Sequence, residues 1–110
     1  LSTEPVDQVD AVAAADIANP YAEVIADIAS GARLHYDNDG SPDPDLDLLL
    51  GDQRYASGLA KLAALGDLEE TARLADLISR VAQLHAEGES AAAQRLLEAA
   101  ERRLGASPQD

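Results

Sequence analysis

Between Leu34 and Asp52 the chain reads LHYDNDGSPDPDLDLLLGD, with six aspartates (Asp37, Asp39, Asp43, Asp45, Asp47 and Asp52), one His and no Lys or Arg. Carboxylates at this density have two uses. They can hold a hard divalent cation through oxygen ligands and present it to a diphosphate. They can also serve the backbone, because Asp accepts from main-chain N–H groups in turns and at helix starts, where the helix dipole favours negative charge. An EF-hand calcium loop needs acids at positions 1, 3 and 5, Gly at 6 and Glu at 12. Counting from Asp37 puts Pro42 at position 6, and counting from Asp43 puts Leu48 at 6 and Arg54 at 12. Neither register works. Asp43 and Asp47 can share one face of a helical first turn and hold Mg²⁺ through water, so with Asp37 and Asp39 they are the candidate metal ligands. The competing reading makes the same residues caps and turn formers, with no metal and no cofactor, and it is the preferred one.

Other chemistry finds less support. His35 and His85 are the only histidines, and zinc needs three or four ligands with an ordered second shell. With no Cys, disulfides, thiolate–zinc sites and thiol nucleophiles are excluded. No serine lies in a GxSxG elbow, and no glycine-rich phosphate loop occurs. No catalytic residue is assigned.

Helices must position these residues. Period and punctuation predict about five of them in an antiparallel bundle, an all-α fold in a single domain over residues 1–110. Thr3 caps a first helix whose stripe is Val6, Val9, Ala13 and Ile17. Asn19–Pro20 stops it and starts a second, with Asn19 as cap, Val24, Ile25, Ile28, Ala29 and Ala32 apolar, and an end near Tyr36. Asp43, before Pro44, caps a long third helix ending near Leu65. Gly51 and Gly58, seven apart inside it, each cost about 1 kcal/mol against Ala, so another backbone is expected close along that face. Gly66 stops the helix and Asp67 caps the fourth, with Glu70 completing a capping box. Leu74, Leu77, Ile78, Val81 and Leu84 form its apolar stripe, and Glu69–Arg73 and Asp76–Arg80 are outward i,i+4 pairs. EGES turns the chain into a fifth helix, capped by Ser90, with Ala93, Leu97, Ala100 and Leu104 inward and Gly105 as the stop. Gly66 and Gly88 stand 22 apart, which rejects the ~34-residue tetratricopeptide period.

Hydrophobic residues make up 46% of the chain, yet it has no Phe, Trp or Met, so the core is Leu, Ile and Val closed by Ala and Gly. Such residues bury little area each, which favours gaining burial by oligomerising. The net charge is −13, and residues 1–52 hold twelve acidic side chains against one basic, Arg33. Nucleic acid and anionic membranes need the opposite sign, so neither is an expected partner. The acidic half suits a basic partner, or keeps an Ala-rich protein in solution. With no membrane-length apolar run and no basic n-region at the start, the expected location is cytoplasmic.

From Ala32 to Gln94 the order of short motifs resembles the front half of trans-polyprenyl diphosphate synthases. In that family one helix ends in a leucine–isoleucine–histidine–aspartate–aspartate motif opening the first Mg²⁺-diphosphate site. A later helix opens with alanine–glycine–aspartate, and the next ends in glycine–glutamate with a glutamine beyond. Leu34, His35, Asp37 and Asp39 resemble the first element, Leu50, Gly51 and Asp52 the second, and Gly88, Glu89 and Gln94 the third. The similarity covers roughly residues 21–95. It departs where chemistry is decided. DDxxD has become Tyr36–Asp37–Asn38–Asp39, the arginine-rich diphosphate clamp is missing, and no second aspartate-rich motif follows. Diphosphate chemistry needs cations aimed at the developing charge, so catalysis by this chain alone is not expected. The resemblance implies a non-catalytic subunit, in the manner of the regulatory small subunit of a heteromeric polyprenyl diphosphate synthase, partnered by a catalytic subunit. Its expected interface is the face bearing Gly51, Tyr55, Gly58 and Leu62. The alternatives are a self-associating helical domain (a homo-oligomer) and, last, a Mg²⁺-dependent diphosphate binder or enzyme.

Overall fold

Proline, aspartate and glycine set the helix boundaries. The computed structural model describes residues 19–105, and among them the chain forms four α-helices and no strand. They are α1 (Pro20–Tyr36), α2 (Pro44–Leu65), α3 (Leu68–Ala86) and α4 (Ser90–Gly105). These match the second to fifth helices expected from the sequence. The first, from Thr3, lies outside the described residues.

At the start of α2 the Asp43 carboxylate accepts from the Leu46 N–H at 3.1 Å. Pro44 fills the first helical position, where an N–H would have had no partner. Gly66 ends the helix in the left-handed region, at φ 71. Asp67 then caps α3, one oxygen accepting from the Glu70 N–H at 3.0 Å and the other from the Tyr21 hydroxyl at 2.7 Å. Three expected local devices differ. Asn19 makes no side-chain cap; its Nδ2 donates to the Leu104 carbonyl at 3.1 Å, fastening the start of α1 to the end of α4. Glu70 does not close a capping box, because its carboxylate is taken by Arg103 on α4 at 2.8 and 2.9 Å. Ser90 is already helical, and its hydroxyl meets His85 Nδ1 at 3.0 Å. In each case a partner on another helix outcompetes the expected cap, at long range for Asn19 and Glu70 and across the α3–α4 turn for Ser90.

Replacing Asp43 by Ala should cost about 1 kcal/mol, the usual worth of an N-cap, whereas Asn should be near neutral. Urea midpoints of the two variants check this.

Helix α1 is central. It lies against α2 on one side and against α3 and α4 on the other. Its Val24, Ile25, Ile28, Ala29 and Ala32 are buried, and Leu62 of α2, Leu74, Leu77 and Val81 of α3, and Ala93, Leu97 and Ala100 of α4 complete the core. The stripes read from the helical period are therefore the ones that pack, Ile78, Leu84 and Leu104 being partly buried at the edges. The Glu69–Arg73 pair forms at 2.6 Å. Asp76–Arg80 is not among the ion pairs of the described residues; exposed pairs gain little and are easily forgone.

Candidate functional site

The aspartate segment folds as a turn between α1 and α2. Asp37 follows the last turn of α1, its N–H donating to the Arg33 carbonyl at 2.8 Å. Asp39 is exposed in the tight turn closed by Ser41 N–H to Asn38 carbonyl at 3.0 Å. Asp43 caps α2, its own N–H resting on the Ser41 hydroxyl. Asp47 stands in the first turn of α2 and shares with Asp37 and Arg33 a surface cleft of about 530 Å³. No three His, Cys, Asp or Glu side chains among the described residues come together as a metal site. The four candidate ligands are thus spread over a cap, a turn and a cleft that already holds a guanidinium.

Beside this turn lies an aromatic cluster that periodicity did not reveal. His35 Nε2 meets Asp52 at 2.8 Å, and its ring stands edge-on to Tyr55 at 5.1 Å and to Tyr36 at 5.8 Å. Tyr36 in turn stacks on His85, centroids 4.0 Å apart and planes 10° from parallel. Burial, then the nearness of Tyr36 and Asp52, pushes the Tyr55 phenol up to about 12. The cluster joins the C-terminal ends of α1 and α3 to the middle of α2, and its members come from three helices, which is why no single-helix pattern announces it. The two histidines face different partners and do not converge.

The expected interface residues lie elsewhere. Gly51, Gly58 and Leu62 are buried against α1 of the same chain, and Tyr55 is half-buried with them. A Cβ on Gly51 would run into the His35 ring and come within 3.0 Å of the Gly31 carbonyl; one on Gly58 would meet Ile28 at 2.9 Å and the Val24 carbonyl at 3.1 Å. The close backbone predicted from the paired glycines is there, but α1 supplies it, so this face is closed to a partner. Along its flank Asp27 accepts from Ser57 at 2.7 Å and Lys61 at 2.9 Å, with Arg54 at 4.0 Å. Burial pushes the Asp27 carboxyl up, but the hydrogen bonds from Lys61 and Ser57 and the charges of Lys61 and Arg54 outweigh it and leave it below its ordinary value.

What α2 leaves open is its other side. At 3.6 residues per turn, Leu49, Ala56, Ala60 and Ala63 lie opposite the glycine stripe, flanked by Leu48 and Leu59 on one edge and Leu46 on the other. Leu49 is 55% exposed, Leu46 47% and Leu48 42%. From Tyr55 to Gly66 the only charged residue is Lys61, and it turns toward Asp27. Exposed Gln53 interrupts this side and exposed Asp52 stands at its edge, so it is a leucine and alanine surface broken by polar residues. Among the described residues nothing covers it.

No family model, curated protein or solved structure matches the chain. The likeness to polyprenyl diphosphate synthases therefore rests on the order of short motifs in the sequence. The outer face of α2 is the candidate site. The sequence held its signal in the apolar count around the α2 wheel, but the paired glycines drew attention to the opposite side. Among the described residues no helix is long and apolar enough to cross a membrane, so lipid-spanning burial does not account for this face.

Proposed function

We propose that this chain is a non-catalytic helical interaction module that works by docking another protein chain along the outer side of α2. One observation supports the reading: Leu46, Leu48, Leu49 and Leu59 of α2 are exposed, and among the described residues only the glycine side of the helix is covered. The non-catalytic part is supported by the sequence, which lacks an intact DDxxD and an arginine clamp, and by the use of Asp43 as a helix cap. The narrower form of the proposal, suggested by motif order, is the small regulatory subunit of a heteromeric polyprenyl diphosphate synthase. Its partner would then meet Leu48, Leu49 and Leu59, not Gly51 and Gly58. Self-association through the same leucines is the competing form, favoured by the division of the face into a leucine half and an alanine half that fit head to tail.

Leu49→Gln with Leu59→Gln tests the site. The variant should keep the helical circular dichroism and thermal midpoint of the parent, since both side chains are exposed. It should also lose whatever stoichiometric association the parent shows, read by light scattering for self-association and by co-purification for a heteromer. Recovery of a full-length prenyl synthase in equal amount, lost in the variant, would support the narrower form. A parent that stays monomeric and retains no partner would sink the module reading.

A further inference from the structure

The charge around the open face of α2 narrows what can lie on it. Asp37, Asp39, Asp43, Asp45 and Asp47 gather at its N-terminal end, and none is ion-paired among the described residues. Asp43 and Asp45 are exposed, and Asp45 shares the arc of Leu48 and Leu59. The two cations of α2 are unavailable here. Arg54 and Lys61 lie on the α1 flank, where Lys61 is held by Asp27 at 2.9 Å and Glu23 at 3.6 Å, and Arg54 reaches Asp27 at 4.0 Å. The open face is therefore mostly apolar, broken by Gln53 with Asp52 at its edge, and most negative at its N-terminal end, with no positive charge of its own among the described residues. A second copy would bring the same acids and no cation to meet them.

We propose that the occupant is a basic amphipathic helix of another protein, its apolar stripe laid along Leu48, Leu49 and Leu59 and its Lys or Arg residues set against Asp43 and Asp45. This rests on the reading of α2 as the docking face and names its partner class. Two features fix the orientation. Cations sit best at the C-terminal end of a helix, so the partner runs antiparallel to α2, with its C-terminus beside Asp43. Side-chain size points the same way: Ala56, Ala60 and Ala63 leave room for large side chains near the partner's N-terminus, while Leu46, Leu48 and Leu49 call for small ones near its basic end. A partner of about 20 residues would match the ~33 Å length of α2. The apolar contact supplies the affinity; the charges set direction and exclude acidic competitors.

The test uses the full chain and three labelled helical peptides of about 20 residues with a common Leu/Ala stripe. One carries four lysines at its C-terminal end, the second the same lysines at its N-terminal end, and the third glutamates in their place. Fluorescence anisotropy should show saturable binding of the first, at least about tenfold weaker binding of the second, and none of the third. Asp43→Asn with Asp45→Asn, which keeps a capping side chain, should weaken the first peptide about tenfold, and raising salt from about 50 to 500 mM should do the same. Leu49→Gln with Leu59→Gln should abolish it. Equal binding of the lysine and glutamate peptides would overturn the basic class while leaving the docking face standing. So would no peptide binding by a chain that dimerises through Leu49 and Leu59. No peptide binding by a monomer would overturn both.

Discussion

Gly31→Val should destabilise the protein by about 3 kcal/mol, the upper end of the overpacking range. A Cβ at Gly31 would stand 2.7 Å from Tyr55 Cδ1 and 2.9 Å from the Gly51 carbonyl oxygen. The ring can rotate away; the carbonyl cannot, because it belongs to the backbone of α2. Valine adds two further carbons at the same point, so the helices must separate. Separation also stretches the His35–Asp52 contact and the Ser57–Asp27 hydrogen bond, both of which cross the same seam. Against a total of about 5–15 kcal/mol for an ordinary domain, this is a large fraction. Gly88→Ala supplies the contrast. Gly88 has φ 79 and nothing within 4 Å of the point where a Cβ would stand, so it carries only the left-handed penalty of about 1–2 kcal/mol. Urea denaturation of the two variants should rank Gly31→Val well below Gly88→Ala. An unchanged midpoint for Gly31→Val would mean that α1 and α2 do not touch through their glycines in solution.

That seam also explains which parts of the structure were legible in the sequence. The boundaries of α2 were plain because Asp43–Pro44 and Gly66–Asp67 act within a few residues, through caps and backbone conformation. The buried stripes of α1, α3 and α4 were plain because a 3.6-residue period maps directly onto one face. Side chains with a choice of partner were not. Asn19, Glu70 and Ser90 each carried a local capping signal, and each went to a partner on another element or across a turn: Leu104, Arg103 and His85. The glycine pair on α2 announced a close neighbour without saying whether it was intramolecular. Gly31 gave the answer, since it opposes Gly51 across the crossing, but nothing in the linear order of residues pairs Gly31 with a glycine twenty positions on. Once α1 takes the glycine side, the exposed leucines beyond it are the side without a partner among the described residues, and the candidate site moves round the helix.

The same competition between local and tertiary partners sets the other large expected effect, at Glu70. This carboxylate is 4% exposed, bonded twice by Arg103 and approached by Arg73 at 3.5 Å, and it joins the start of α3 to the end of α4. Arg103→Leu should cost about 2–3 kcal/mol at neutral pH, short of the 3–5 of a fully buried pair because Arg73 remains. Its pH dependence separates lost charge from lost packing. The hydrogen bonds from Arg103 hold the Glu70 carboxyl below its ordinary 4.5; burial opposes this, and the charges of Arg103 and Arg73 reinforce it. A depressed folded value means the ion pair contributes fully above about 4.5 and is lost as pH falls through the folded value. In Arg103→Leu, Arg73 alone opposes burial, so Glu70 takes up a proton at higher pH and its cost to the fold fades on acidification. The stability gap between parent and variant should therefore be widest near pH 7 and close as pH falls below 4.5 through the folded value of Glu70 in the parent. Differences between the two proteins, not absolute values, are the measure, because Asp27 and Asp67 also sit below their ordinary values and destabilise both proteins alike as they protonate. A gap that stays constant with pH would assign the loss to the Arg103 stem packed beside Leu96 and Ala100 in the α3–α4 groove, and the carboxylate would then be a passenger in its own salt bridge.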